Sequence, residues 1–287
     1  MAKLYLLALA GLVSCSTPPL KTVFAFPDSL KENSGIAIAP RSELIWTMQD
    51  AGNAAEIYGL DSRGRIAHTV YIENGANRDW EDLTTDAAGN LYIGDFGNNE
   101  NDRKDLEIYR VDAGALSADR ATVSKIGFYF PEQTAFPPKK SQRVFDVEAF
   151  FYYRDAFYLF TKNRSSKFDG QTVLYEVPDK PGVHAARRLG EFSACDRYSH
   201  CAITSADISP DGKTVALLSG SYVWLFTDFS GVDFLGGRSQ QIDLEDFSQK
   251  EGLCFSGNSK LLISDEKKKN TGGNLYELDL SRLKAKP

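Results

Sequence analysis

Three glutamates recur in similar surroundings along the chain, Glu81, Glu148 and Glu251, and two of them follow an aspartate two positions earlier, Asp79 and Asp146. Carboxylates brought to one centre repel one another unless protonated, bridged by donors or neutralised by a cation. A hard divalent ion is the simplest of these solutions. Calcium accepts six to eight oxygens at loose geometry, which suits a set of Glu, Asp and Asn better than zinc or copper would. Asp95, within Gly94-Asp95-Phe96-Gly97-Asn98-Asn99, joins the candidate ligands, because the glycines let the backbone turn tightly and present its own carbonyls. Each acid, taken singly, is equally well an Asx-type cap accepting backbone N–H groups at a turn.

Basic residues fall in the same neighbourhoods: Arg78, Arg103, Lys162, Arg164 and, less directly, Arg143. Together with Asn98 and a cation they would suit an anionic ligand such as a phosphate ester or an acidic sugar. Surface ion pairing is the plainer alternative. Only three histidines occur, His68, His184 and His200, and there is no Gly-x-Ser-x-Gly elbow, HExxH helix or phosphate loop. A Ser-His-Asp hydrolase is therefore not expected. Trp46, Trp80, Tyr92 and Tyr158 read as packing residues, since a stacking platform would need exposed rings.

The elements that must position these residues are short strands. Runs rich in Val, Ile, Tyr and Phe recur between Gly, Asn, Asp and Pro, with no sustained helical spacing. One phrase recurs five times: Glu32-Asn33-Ser34-Gly35-Ile36, Asp79-Trp80-Glu81-Asp82-Leu83, Asp146-Val147-Glu148-Ala149-Phe150, Ile203-Thr204-Ser205-Ala206 and Lys250-Glu251-Gly252-Leu253. A second and a third strand follow each occurrence. Aligned on Ser34, Glu81, Glu148, Thr204 and Glu251, the repeats are 47, 67, 56 and 47 residues apart. Four-stranded units near that period are propeller blades. The last unit has three strands before the chain ends, and Thr22-Val23-Phe24-Ala25-Phe26 can supply the fourth, closing the ring and covering its edge. The expected fold is all-β, a five-bladed β-propeller. Six blades is the alternative if the long interval of 67 residues, with Phe136-Pro137-Pro138-Lys139-Lys140, hides a degenerate unit; a β-sandwich would not repeat one phrase at each unit start. In a propeller the first strands line the channel, and the loops between second and third strands share a rim with the entries to the first. The acids above then gather on one rim.

Composition leaves the function class open. With 287 residues and 42% hydrophobic residues the chain can bury a large core, and disorder is excluded. A net charge of -6 offers no footprint for a nucleic-acid backbone. Met1-Ala2-Lys3, the apolar run Leu4 to Leu12 and Leu12-Val13-Ser14-Cys15 read as an export signal, too short to span a bilayer. The ending resembles a bacterial lipobox, which implies cleavage before Cys15, lipidation of its thiol and anchoring to a membrane. Ser16 in place of aspartate implies outer-membrane sorting, facing the periplasm or the cell surface. The expected organisation is a signal peptide over residues 1–14, a lipidated cysteine and tether over 15–21, and one propeller over 22–287. Loss of Lys3 leaves 32 basic against 39 acidic residues, a mature charge of about -7. Export also permits a disulfide between Cys195 and Cys201, whereas Cys254 reads as a buried apolar residue.

The repeated phrases, with Gly94-Asp95-Phe96-Gly97-Asn98-Asn99, resemble those of bacterial exported propellers of the SdiA-regulated and NHL or phytase-like kinds, over nearly the whole mature chain. Several propellers of that wider set, phytase, lactonase and paraoxonase-like ones among them, place calcium in or near the channel, which implies a cation here as well. The chain departs from them at Ser34 and Thr204, where further carboxylates would complete a cage, and it carries no phytase active-site phrase. Three functions follow as expectations. The first is binding of a small anionic ligand or an envelope protein at the rim through calcium; the second is calcium-dependent hydrolysis of a phosphate ester, lactone or acidic sugar; the third is an envelope assembly scaffold.

Overall fold

A computed structural model describes residues 19–269 and 271–282. Cys15 and the segment read as a signal lie outside the described residues. Strand β1 (Leu20–Ala25) is followed by four antiparallel strands, β2 (Asn33–Ile38), β3 (Ile45–Gln49), β4 (Glu56–Leu60) and β5 (Ile66–Ile72). The second group is β6 (Trp80–Thr85), β7 (Leu91–Asp95), β8 (Leu106–Val111), the two-residue β9 (Arg120–Ala121) and β10 (Ser124–Tyr129). The third comprises β11 (Asp146–Tyr153), β12 (Ala156–Lys162), β13 (Gln171–Pro178), β14 (Gly182–Ala185) and β15 (Arg187–Ser193). The fourth and fifth are β16 (Ile203–Ile208), β17 (Val215–Ser219), β18 (Tyr222–Thr227), β19 (Arg238–Asp243), and β20 (Lys250–Phe255), β21 (Lys260–Asp265), β22 (Asn274–Asp279). Among the described residues no helix is long and apolar enough to cross a membrane.

These strands form five sheets, and five blades is the observed number. The 67-residue interval holds no sixth: residues 130–145 form a connection with one short turn of 3₁₀ helix, Lys140–Gln142. Two devices tie the blades together, and the first closes the ring. β1 pairs antiparallel with β22 as the outer strand of the fifth blade, starting at Leu20 rather than at the expected Thr22. β9 and β14 leave the second and third blades to add a parallel fifth strand to the blade before. Such two- and four-residue excursions carry no periodic signal.

Blades pack through large rings. Trp46 and Trp80 share one buried cluster between the first two blades; Tyr92, Phe96, Phe150 and Phe157 fill the next interface, and Tyr158 the one after. All four aromatic residues expected as packing are therefore buried, as is Cys254.

Strands β2, β6, β11, β16 and β20 line the axis, each touching the next around a closed circle. Each is an edge strand of its blade, so its outward N–H groups lack a sheet partner, and buried N–H groups must find another acceptor. Side chains of a neighbouring blade supply it. Asp82 accepts from Phe150 N at 3.3 Å, Thr84 Oγ1 from Tyr152 N at 3.1 Å, Ser205 Oγ from Leu253 N at 3.0 Å and Asp207 from Phe255 N at 2.7 Å. Asp82 also reaches across to Ser205 Oγ at 3.0 Å. The packing leaves no room for a side chain at Gly35, whose Cβ would lie 2.4 Å from Leu83 N.

Ring closure depends on β1. Phe24 is buried with Leu60, Leu262 and Leu275 and meets Phe26 edge-on at 5.5 Å. Phe24→Ala should lower unfolding free energy by about 3–5 kcal/mol, the usual cost of a buried Phe cavity, in urea titrations. A loss below about 1 kcal/mol would show that β1 does not hold the ring.

Candidate functional site

Every inner strand carries one extra residue, a bulge, near its start: Glu148, Thr204 and Glu251 in β11, β16 and β20, and one within Ser34-Gly35 and Glu81-Asp82 in β2 and β6. A bulge re-aims a side chain and ends regular pairing, so the repeated phrase of the sequence is the point where each strand turns a residue into the channel mouth. Ser34 and Thr204 do not extend an acidic cage. Their hydroxyls donate to the main-chain carbonyls of Glu81 and Lys250 on the neighbouring strand, Thr204 at 2.7 Å.

The loops between second and third strands surround the same mouth. Asn77 Nδ2 donates to the carbonyl of Asp50, Gly97 N to that of Asp79 at 3.1 Å, and Glu266 N to that of Gln249 at 2.9 Å. Three carboxylates converge there: Asp50, Asp79 and Glu81, with an oxygen of each within 4.8 Å of the other two. Glu81 is 6% exposed, and its carboxylate accepts no hydrogen bond from any described residue. Burial, then the charges of Glu148, Asp50 and Asp79, push its pKa well above the usual carboxylate range. The same causes, burial first and then Asp50 and Glu148, raise Asp79 to about 6. A side chain at Gly97 would enter the cluster, its Cβ 2.2 Å from Glu81 Oε1.

Asp50 was not among the candidate ligands. Its loop, Gln49-Asp50-Ala51-Gly52-Asn53, sits in the repeat, but no carboxylate stands at the equivalent place in every blade to flag it.

Of the other expected ligands, Glu148, Asp146 and Asp95 are committed elsewhere. Glu148 accepts from Lys162 Nζ at 2.9 Å and from Arg164, and Arg164 also pairs with Asp146. Burial would raise Glu148, but Lys162 and Arg164 outweigh it and hold the carboxyl below its ordinary value. Asp146 accepts Asn98 N at 2.6 Å as well, and burial pushes it up. Asp95 takes Tyr109 Oη at 2.7 Å, Arg103 at 3.2 Å and Asp79 N at 3.1 Å, which makes it the anchor of its loop. Removing Arg164 or Lys162 would leave buried charge uncompensated, which makes this network a structural feature of the mouth.

The basic residues expected to grip an anion are likewise occupied. Arg103 also donates to the carbonyl of Gly97 at 2.8 Å, and Arg78 pairs with Asp105. Asn98 Oδ1 accepts Arg103 N at 2.9 Å and its amide faces the carbonyl of Phe145. Cys195 and Cys201 are joined by the expected disulfide, and His200 Nδ1 lies 2.8 Å from Ser221 Oγ.

What remains uncompensated is acidic. Besides the three-carboxylate group, burial lifts Glu251 to about 7, with Glu148 adding to it against Lys162, and burial together with Glu251 and Asp50 lifts Glu266 to about 8. All donors of the central group are carboxylate oxygens, with no sulfur or imidazole among them. That donor set fits a hard divalent cation.

No protein-family model and no curated protein matches the chain. Among solved structures, the PQQ-bound form of an aldose sugar dehydrogenase from Streptomyces coelicolor is similar over 91% of this chain and 97% of that one, at 11% identity and a TM-score of 0.51. A gluconolactonase from Xanthomonas campestris is similar over 91% and 89%, at 9% identity and 0.49. Virginiamycin B lyase from Staphylococcus aureus is similar over 87% and 67%, at 12% identity and 0.42. At such identities the likeness is one of fold, and function has to be read from the site.

An acid whose folded pKa is raised binds more protons folded than unfolded, so its effect on stability turns unfavourable as pH rises. For Asp79, Glu251 and Glu266 the window runs from about pH 4, the unfolded value, to about 6, 7 and 8 respectively. Glu148, with its lowered pKa, acts oppositely only at lower pH. Melted in chelator, the protein should therefore have a lower Tm at pH 8 than at pH 5.5. A Tm that rises over that interval would mean the carboxylates are neutralised by something other than protons.

Proposed function

We propose that the channel mouth is a divalent-cation site, calcium in the first instance, through which the protein binds an oxygen-bearing ligand. Asp50, Asp79 and Glu81 would hold the ion. The observation that carries this reading is Glu81, a carboxylate 6% exposed in a three-acid cluster, where no described residue donates to it and the mutual repulsion is relieved by a cation or a proton. The chemistry such an ion supplies is polarisation of a ligand oxygen. The chain's own residues orient: Gly97 leaves the space, Asn77 fixes the Asp50 loop, and the Glu148–Lys162–Arg164 network keeps a fourth carboxylate occupied.

A second reading, hydrolysis of an ester or lactone, is favoured by Glu251. It lies outside the three-acid group, is 8% exposed and has a pKa raised to about 7, the range of a useful general base. In that role it would take a proton from attacking water.

Calorimetric titration of chelator-treated protein with calcium tests the first reading. One site is expected, weakened about 10-fold or more in Glu81→Gln, since affinity follows ligand charge, and weakened also in Gly97→Ala, with no change in Glu191→Gln, whose exposed side chain on β15 pairs with Arg188. Absence of binding, or equal binding by Glu81→Gln, would refute it.

We further propose that the chain is an outer-membrane lipoprotein of the cell envelope. Support comes from Leu12-Val13-Ser14-Cys15 and from the Cys195–Cys201 disulfide, which belongs to an oxidising compartment. Cells fed labelled palmitate should label the wild type and leave Cys15→Ser unlabelled; label on both proteins, or on neither, would overturn it.

A further inference from the structure

The arginines near the acidic mouth are spent on ion pairs, yet one group of cations beside it is not. Where the ring closes, Asp28, Lys31, Lys267 and Lys269 line an open cleft of about 490 Å³. Three lysines against one aspartate leave it with a net charge of +2, in a chain whose own net charge is -6. Lys267 reaches Asp28; Lys31 and Lys269 have no ion-pair partner among the described residues.

The cleft is built, not merely lined. Lys267 N donates to the carbonyl of Lys31 at 2.8 Å, joining the two segments that carry the lysines. Lys268 and Thr271 exchange main-chain hydrogen bonds at 2.9 and 3.0 Å. Lys269 at the tip sits at φ 55°, a left-handed conformation that side chains rarely adopt. Gly272 and Gly273, at φ 72° and 74°, complete the turn, and a Cβ on Gly272 would come within 2.0 Å of the Glu266 carbonyl. Strain of this kind persists only where surrounding structure enforces it. Here it holds several ammonium groups on one short turn.

Position gives the cleft its meaning. Glu32, the residue after Lys31, accepts Asp50 N through its main-chain carbonyl at 3.0 Å, and Glu266, the residue before Lys267, donates its N–H to the carbonyl of Gln249 beside Glu251 at 2.9 Å. A cationic cleft and a carboxylate cluster therefore adjoin, and a molecule lying across them would meet opposite charge at its two ends.

We propose that the lysine cleft binds an oxyanion, the phosphate or carboxylate group of a small molecule whose oxygen-bearing remainder reaches the cation site. The second half rests on the cation reading above; the first half stands without it. A lipid headgroup offers the same oxyanion chemistry, but β1 disfavours it. Ala25 pairs with Asn274 near the cleft, whereas Leu20 pairs with Leu278 at the other end of the blade, so a membrane anchor upstream of β1 would be carried away from the lysines.

The probe is inorganic phosphate, titrated in chelator so that the outcome is independent of calcium. Saturable binding is expected, followed by amide and lysine NMR shifts, and Lys31→Gln/Lys269→Gln should weaken it 10-fold or more while leaving the urea midpoint unchanged. Absence of saturation, or equal binding by the double variant, would overturn the proposal. In a second arm the protein is sedimented with phosphatidylglycerol vesicles. Loss of vesicle binding in the double variant, without any binding of free phosphate, would assign the cleft to a lipid surface and refute the small-molecule reading. Failure of calcium to bind in the earlier titration leaves the phosphate result unaffected, so the two readings fail separately.

Discussion

Five strand edges facing one axis impose the constraint on which the remaining structure depends. Their N–H groups are buried and have no sheet partner, and an unpaired buried donor costs as much as a lost hydrogen bond. Side chains from neighbouring blades satisfy them, with Asp82 linking the second blade to the third and the fourth. This requirement explains a fully buried carboxylate and a hydroxyl at consecutive equivalent positions of different blades. It also explains why Gly35 and Gly252 stand where backbones press together, the Cβ of Gly252 being 2.7 Å from the Ser34 carbonyl.

Above that level the bulge in each inner strand turns one residue into the mouth, and charge then divides unevenly around the ring. On the third blade Lys162 and Arg164 extend from the end of β12 and the loop beyond it, and so reach the acids of β11 directly across the hairpin. The second blade offers Asp95 and a glycine-rich loop at the corresponding place, with Arg103 folded back to hold that loop. Compensation thus falls on Glu148 and Asp146, while Asp50, Asp79 and Glu81 remain mutually repelling. The site is a consequence of where the lysine and arginine lie relative to the bulge, since acids alone stand at comparable positions in three blades.

Seen along the rim, three zones follow one another: a neutralised network on the third blade, an acidic cluster between the first and second, and a lysine cleft at the closure between the fifth and first. The ring closure matters twice, because β1 seals the sheet and the segment after it carries Asp28 and Lys31 to meet the turn that holds Lys267 and Lys269. What distinguishes this mouth is the placement of charge more than apolar area. The neighbouring aromatic rings agree with this, since Trp46, Trp80, Tyr92 and Tyr158 are all consumed in packing between blades.

The period of the repeated phrase was enough to give the all-β class, the blade count and the ring closed by an N-terminal strand, because blade spacing and alternating burial are written locally in residue types. It also placed Glu81, Glu148 and Glu251 at one structural position, which the shared bulge makes concrete. The partition of those acids was not legible. Whether Glu148 is free or paired depends on Lys162 fourteen residues away, and whether Asp50 approaches Glu81 depends on how the first two blades meet. Repeat position alone therefore puts the Asp50 loop on the rim without marking Asp50 as a partner of Glu81, and it does not show that Asp95, Asp146, Arg103 and Asn98 make contacts that hold loops together. Local pattern sets which strands form and which residues begin them; the sharing of charge and hydrogen bonds among groups far apart in the chain is settled only when the ring closes, since Coulomb interaction and desolvation depend on distance in space.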